Sequence, residues 1–129
     1  MATAAFEGIL REIPGLYASE DLSSYQFCFV YISGDGTVAH SAHNAQSIGV
    51  LQNKPSASGQ AAVVAGPGSV TKLKITDSIT AGYMLAPDAS GNATGIHATT
   101  SDYPAAIALI GGSTGDTIPV EVIQATKAL

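Results

Sequence analysis

The chain has 129 residues, 46% of them hydrophobic, which suits one domain with a real core, although alanine supplies much of that fraction and there is no Trp. The net charge is −5, from ten acids and five bases, and no Lys or Arg occurs between Asp77 and Thr126; nucleic acid and an anionic membrane surface are therefore not expected as partners. A single cysteine, Cys28, excludes an intrachain disulfide and a cysteine metal cluster, and no apolar run approaches the ~20 residues of a membrane span.

The first residues, "MATAAFEGILREIPG", have no basic start, and Glu7 and Arg11 interrupt the apolar stretch, so they do not read as a signal peptide and the cytosol is the expected place of synthesis. "AAFEGILREI" has the spacing of two or three helical turns with Phe6, Ile9, Leu10 and Ile13 on one face, ended by Pro14-Gly15. "LYASEDLSS" then reads as a linker. A helix this short is marginal alone, so the apolar face is expected to dock on a neighbouring molecule or on the chain's own domain.

From Tyr25 the pattern is β. "YQFCFVYI" alternates with apolar residues on both faces, as a central strand does, and holds four of the eight aromatics. "SGDGTV" supplies a tight turn at Asp35-Gly36. Further strands are expected at Thr37–His40, Ser47–Gln52, Ala61–Val64, Ser69–Thr76, Tyr83–Ala86, Gly95–Ala98, Ala105–Ile110 and Thr117–Gln124, separated by "SASG", "GPG", "DASGN" and "GGSTGD". "KLKIT" places Lys72 and Lys74 outward and Leu73 and Ile75 inward. Pro119 cannot donate a ladder hydrogen bond and points to an edge strand. The expected fold is mainly β: a compact barrel- or sandwich-like domain of short strands with an N-terminal arm and room for one short helix. The division is 1–21 for the arm and 22–129 for the β-rich domain.

The motifs that carry chemistry are formal matches only. His40 and His43 in "HSAH" are three apart, but they follow a strand into a loop with no Cys nearby, so surface histidines are expected and no metal. His97 stands alone in a strand pattern. "DASGN" lacks the Gly and Glu of a calcium loop, with Ala93 and Thr99 at those positions, and reads as a β-turn. "GGSTG" matches the G-x-S-x-G elbow around Ser113, yet no helix pattern follows it and no His lies beyond it. "SVTK", Ser69 to Lys72, alternates like a strand where the S-x-x-K chemistry needs one helical face. Cys28 sits among aromatics and reads as a buried, inert thiol. No cofactor, metal or catalytic residue is expected.

The ordered series "LSSYQFCFVYIS", "GDGTV", "IGVLQNKP", "GQAAVVAGPGSVTKLKI", "ITAGYMLAPDASGNATG" and "YPAAIALIGGSTGDTIPVEVI" resembles the small capsid decoration, or cement, proteins of tailed bacteriophages. More narrowly it is similar to the trimeric head proteins with a compact β domain. The resemblance runs from about Leu22 to Ile123; the first twenty or so residues depart from it, where a shorter extended start is usual. It implies a structural virion protein, not an enzyme, on the capsid exterior. Such a protein assembles as a homotrimer over three-fold or quasi-three-fold sites of the mature icosahedral shell. It ties neighbouring major capsid protein subunits together, beside neighbouring decoration proteins. Multivalent display raises net affinity without any one strong contact.

Two sets of residues are the expected capsid or inter-subunit contacts: the arm face of Phe6, Ile9, Leu10 and Ile13, and Lys54, Lys72 and Lys74, three of only five bases in an acidic chain. The competing readings are a β-rich receptor- or carbohydrate-binding module of a virion, disfavoured by the scarcity of aromatics after Tyr31, and a hydrolase using Ser113, Asp102 or His97.

Overall fold

The computed structural model describes residues 10–43, 45–95 and 103–125. Among them the regular structure is all β, in ten short strands: β1 Tyr17–Ala18, β2 Phe29–Gly34, β3 Thr37–His40, β4 Gly49–Leu51, β5 Val64–Ala65, β6 Val70–Lys74, β7 Met84–Pro87, β8 Ala93–Gly95, β9 Ala106–Ala108 and β10 Thr117–Val122. They form two five-stranded sheets, in the orders β1-β3-β2-β4-β5 and β6-β10-β9-β7-β8. The chain completes the first sheet before entering the second, and the short β2–β3 and β7–β8 hairpins use the Gly/Ser/Asp turns that the sequence announces.

The first sheet curls until its two ends meet. β1 runs parallel to β3, with Tyr17 opposite Thr37 and Ala18 opposite Val38. On its other side the same segment pairs with residues 59–66, which contain β5. The Ile13 N–H donates to the Val64 carbonyl, Gly66 to Arg11, Ala62 to Leu16, Ala18 to Gln60 and Gly59 to Ala18, with antiparallel bridges at Glu12–Ala65 and Tyr17–Ala61. The N-terminal segment is thus the closing strand of a small barrel, and closure leaves both of its edges paired. Leu16, Ala18, Leu22, Val30, Val38, Leu51, Ala62 and Val64 fill the interior, with Ile13, Tyr25 and Ile48 packed against them.

The second core lies between the outer wall of this barrel and the second sheet. Phe29 and Val50, whose neighbours Val30 and Leu51 point into the barrel, face outward here and meet Leu73, Ile75, Leu85, Ile118, Val120 and Val122. This is why "FVYI" is apolar on both faces: each face of β2 serves a different core. Alanine fills much of the second core, at Ala93, Ala105, Ala106 and Ala108, and lets the backbones approach closely. The same closeness appears at Gly49, where a Cβ would run into the Ala65 carbonyl oxygen.

Four expectations change. Residues 10–13 are extended, not helical, because Arg11 and Ile13 satisfy their backbone groups on residues 64–66; tertiary pairing overrides a short helical pattern. "LYASEDLSS" is no linker, since Leu16, Ala18 and Leu22 are buried. The strand expected from Tyr25 begins only at Phe29, because residues 25–28 form a turn with the Cys28 N–H on the Tyr25 carbonyl. β10, which holds Pro119, is interior to its sheet and not at an edge. Pro119 is tolerated because the β9 ladder begins one residue later, at Val120 opposite Ala108, and the Pro119 carbonyl still accepts from Leu109.

Candidate functional site

The three lysines that stand out in the sequence are brought to one region by separate elements. Lys72 and Lys74 alternate outward on β6, between buried Thr71, Leu73 and Ile75. Lys54 comes from the loop after β4, whose Pro55 carbonyl accepts from Leu22. A hollow of about 370 Å³ lies between them, lined by Ser23, Ser24, Gln26, Phe27, Lys54 and Lys74.

Phe27 is the hinge of this hollow. It has φ of 64°, the one positive value among the described non-glycine residues. A bulky side chain is disfavoured there by about 1–2 kcal/mol, so surrounding contacts must hold it. They do so on both sides: its N–H donates to the Leu51 carbonyl, 2.7 Å, and its carbonyl accepts from the Lys74 N–H, 2.8 Å. Phe27 therefore staples the first barrel to the edge of the second sheet. The Lys72 Nζ lies 5.7 Å from the Phe27 ring centroid, over its face. The Gln26 amide nitrogen donates to the Gln52 carbonyl, 2.9 Å, which fixes the turn. Ser23 is committed to Asp21, with N–H and hydroxyl both on Oδ1 at 2.9 and 2.7 Å, and these hydrogen bonds, the hydroxyl's first, hold the Asp21 carboxyl below its usual pKa. Among the described residues no carboxylate pairs with Lys54 or Lys74, and the Ser24 hydroxyl makes no hydrogen bond.

Of the arm residues, Leu10 and Ile13 are described, and these two do not share one face. Leu10 is 51% exposed, whereas Ile13 packs against the barrel interior and under Gly66, where a Cβ would sit 2.8 Å from Ile13 Cγ1. In an extended segment residues three apart fall on opposite sides. Phe6 and Ile9 lie outside the described residues, as do His97 and Asp102.

A second exposed surface was not singled out by the sequence. Tyr83 immediately precedes β7 and Met84 opens it, the Ala108 N–H donates to the Tyr83 carbonyl, and Leu109 and Ile110 follow β9. These four side chains are all exposed, at the adjoining ends of β7 and β9.

The formal motifs resolve into turns and buried groups. Asp88 Oδ1 accepts from the N–H groups of Ser90 and Asn92, and Oδ2 from the Thr76 hydroxyl at 2.8 Å, so "DASGN" is a hairpin loop tied by its own carboxylate. Ser113 lies in a turn closed by Asp116, whose Oδ2 accepts its N–H at 2.9 Å. Buried Ser69 accepts the Arg11 N–H at 2.7 Å. The His40 Nδ1 is 2.7 Å from Glu20 Oε2, and its ring stacks on Tyr25 with centroids 4.2 Å apart. Among the described residues no three His, Cys, Asp or Glu side chains converge as metal ligands. Cys28 is buried with its thiol 3.1 Å from Asn92 Oδ1, and burial pushes its pKa up to about 11.

No family model and no curated protein matches the chain. A solved structure does: the one described as the head fiber gp8.5 N base in bacteriophage phi29 superposes with a TM-score of 0.67, at 13% sequence identity. The likeness covers 92% of this chain and 98% of that chain, so this chain is similar in fold to a phage head fiber base over nearly the whole length of both.

Proposed function

We propose that the chain is a structural protein of a bacteriophage virion, associated with the head and carrying no bond chemistry. The observation that carries this reading is the coverage of the fold likeness, which extends over 92% of this chain and 98% of the head fiber base. The ordered sequence series that resembles capsid decoration proteins supports it independently. The chain's own geometry also suits it, because the carboxylates of Asp88 and Asp116, formal candidates for chemistry, are spent on closing turns.

At finer resolution the protein sits on the exterior of the mature capsid as a trimer and bridges neighbouring major capsid protein subunits. Exposed Tyr83, Met84, Leu109 and Ile110 supply apolar contacts for self-association, and the lysine hollow faces the shell or an adjacent subunit. Phe6, Ile9 and Leu10 remain candidates for contact with a neighbour; Ile13 serves the chain's own barrel. The test is reconstitution. Heads prepared without the protein are mixed with it and sedimented. The protein should co-migrate at a saturating ratio of three copies per site, and the decorated heads should withstand higher temperature. Free protein remaining at the top of the gradient at all ratios contradicts the reading.

A further inference from the structure

We infer that the hollow between Lys54, Lys74 and the 23–27 turn is a binding site for paired carboxylates of an acidic protein segment. Four observations converge. First, the site is cationic in an acidic molecule: two of the five bases line it, with Lys72 adjacent over Phe27, while the whole chain carries −5. Second, neither lining ammonium is neutralised by a carboxylate among the described residues, and the Ser24 hydroxyl has no internal partner, so the groups that would receive an anion are available. Third, the site is rigid. Phe27 is held at φ 64° by hydrogen bonds to two different sheets, and Gln26 is tied to Gln52, so little ordering cost falls on binding. Backbone strain of this kind gathers at ligand sites, although here it supports an assignment already made from charge and shape. Fourth, the volume of about 370 Å³ accommodates two or three side chains, not an extended polymer.

The chemistry selects a peptide over other anionic or ring-bearing ligands. A nucleic acid strand needs cations along its path, and from Ser78 to Ala125 the chain offers none. Base or sugar stacking needs an open aromatic face, and the Phe27 ring carries Lys72 over it. Carboxylates need only the two ammonium groups and a hydroxyl donor. Desolvation within the hollow strengthens those charge-assisted bonds relative to the surface. This assignment does not depend on where in a virion the chain sits.

The test uses the intact, isotope-labelled protein and a hexaglutamate peptide followed by amide chemical-shift perturbation at low salt. Shifts should concentrate at Ser23, Ser24, Phe27, Lys54 and Lys74. They should vanish in the Lys54→Gln/Lys74→Gln variant, whose unchanged spectrum elsewhere shows that it folds, and fade at tenfold higher salt. A hexaglutamine control should shift nothing. Two comparators have the power to overturn the assignment: an oligothymidylate of equal charge and inorganic phosphate. If either binds the hollow as tightly as hexaglutamate, the site is a general anion site or a nucleic-acid site and the inference fails. Absence of any peptide shift at these residues also refutes it, whatever the outcome of head reconstitution.

Discussion

Truncating Leu16 to alanine tests whether the N-terminal segment is part of the domain. Leu16 is 8% exposed and points into the first barrel from the segment that closes it, one residue before β1. Its carbonyl accepts from Ala62, so the backbone around it is fixed and cannot collapse freely into a void. Removing a buried leucine from such a site costs about 2–4 kcal/mol, the transfer term plus the unfilled cavity. Leu10, only six residues earlier, is 51% exposed and should cost under about 0.5 kcal/mol when made alanine. For a domain of this size each kcal/mol lowers Tm by roughly 3–5 °C, so Leu16→Ala should melt about 6–20 °C lower and Leu10→Ala within about 2 °C of the parent. Paired calorimetric scans at fixed protein concentration give the comparison. Concentration must be matched because self-association stabilises by mass action. Equal melting of both variants and the parent would show that residues 16–18 are a detachable arm and would refute barrel closure by this segment.

Cys28 should resist Ellman's reagent at pH 8 in the folded protein and react at once in denaturant; fast reaction when folded would contradict its burial. Its thiol ionises near pH 9 in the unfolded chain and at about 11 in the fold, so between these values the folded state holds the extra proton. Stability should therefore fall as pH rises through that window, by on the order of 1–3 kcal/mol, and Cys28→Ala should show a shallower decline in the same denaturation series. Asp88→Ala removes the acceptor for two N–H groups and the Thr76 hydroxyl and should cost about 1–3 kcal/mol, measured by urea denaturation, while added calcium should leave the parent's Tm unchanged. A calcium-dependent rise would restore the ion-loop reading.

Much of the fold was legible in the sequence, and what was not has a physical cause. Thr37–His40 was read to the residue, because a tight Asp-Gly turn fixes where a hairpin strand starts. The lysine alternation on β6 was legible because period two is robust on a strand whose inner face is buried. The closing strand was not, because Phe6, Ile9, Leu10 and Ile13 match a helical period by spacing alone. Nothing local announces that residues 64–66 will offer that segment a partner. Phe27 was hidden for a similar reason: "YQFCFVYI" alternates like one strand, and the left-handed turn inside it is imposed by Leu51 and Lys74 from distant parts of the chain. The lysines could be named from composition, but the hollow needed Ser24 and Phe27, whose placement is tertiary. Pro119 misled because the edge rule concerns the missing N–H, and that N–H faces a point where the β9 ladder has already ended.

The central claim is that this fold serves on a phage head. The most direct measurement is an image reconstruction of the particles produced from the genome that encodes the chain, with the coordinates fitted into density. The account predicts density outside the shell that accepts the barrel and the second sheet, present as three copies about a three-fold or quasi-three-fold axis. The hollow of Lys54 and Lys74 should be turned toward protein. Particles whose shell exterior has no density for this fold, with the protein absent by mass spectrometry, would contradict it.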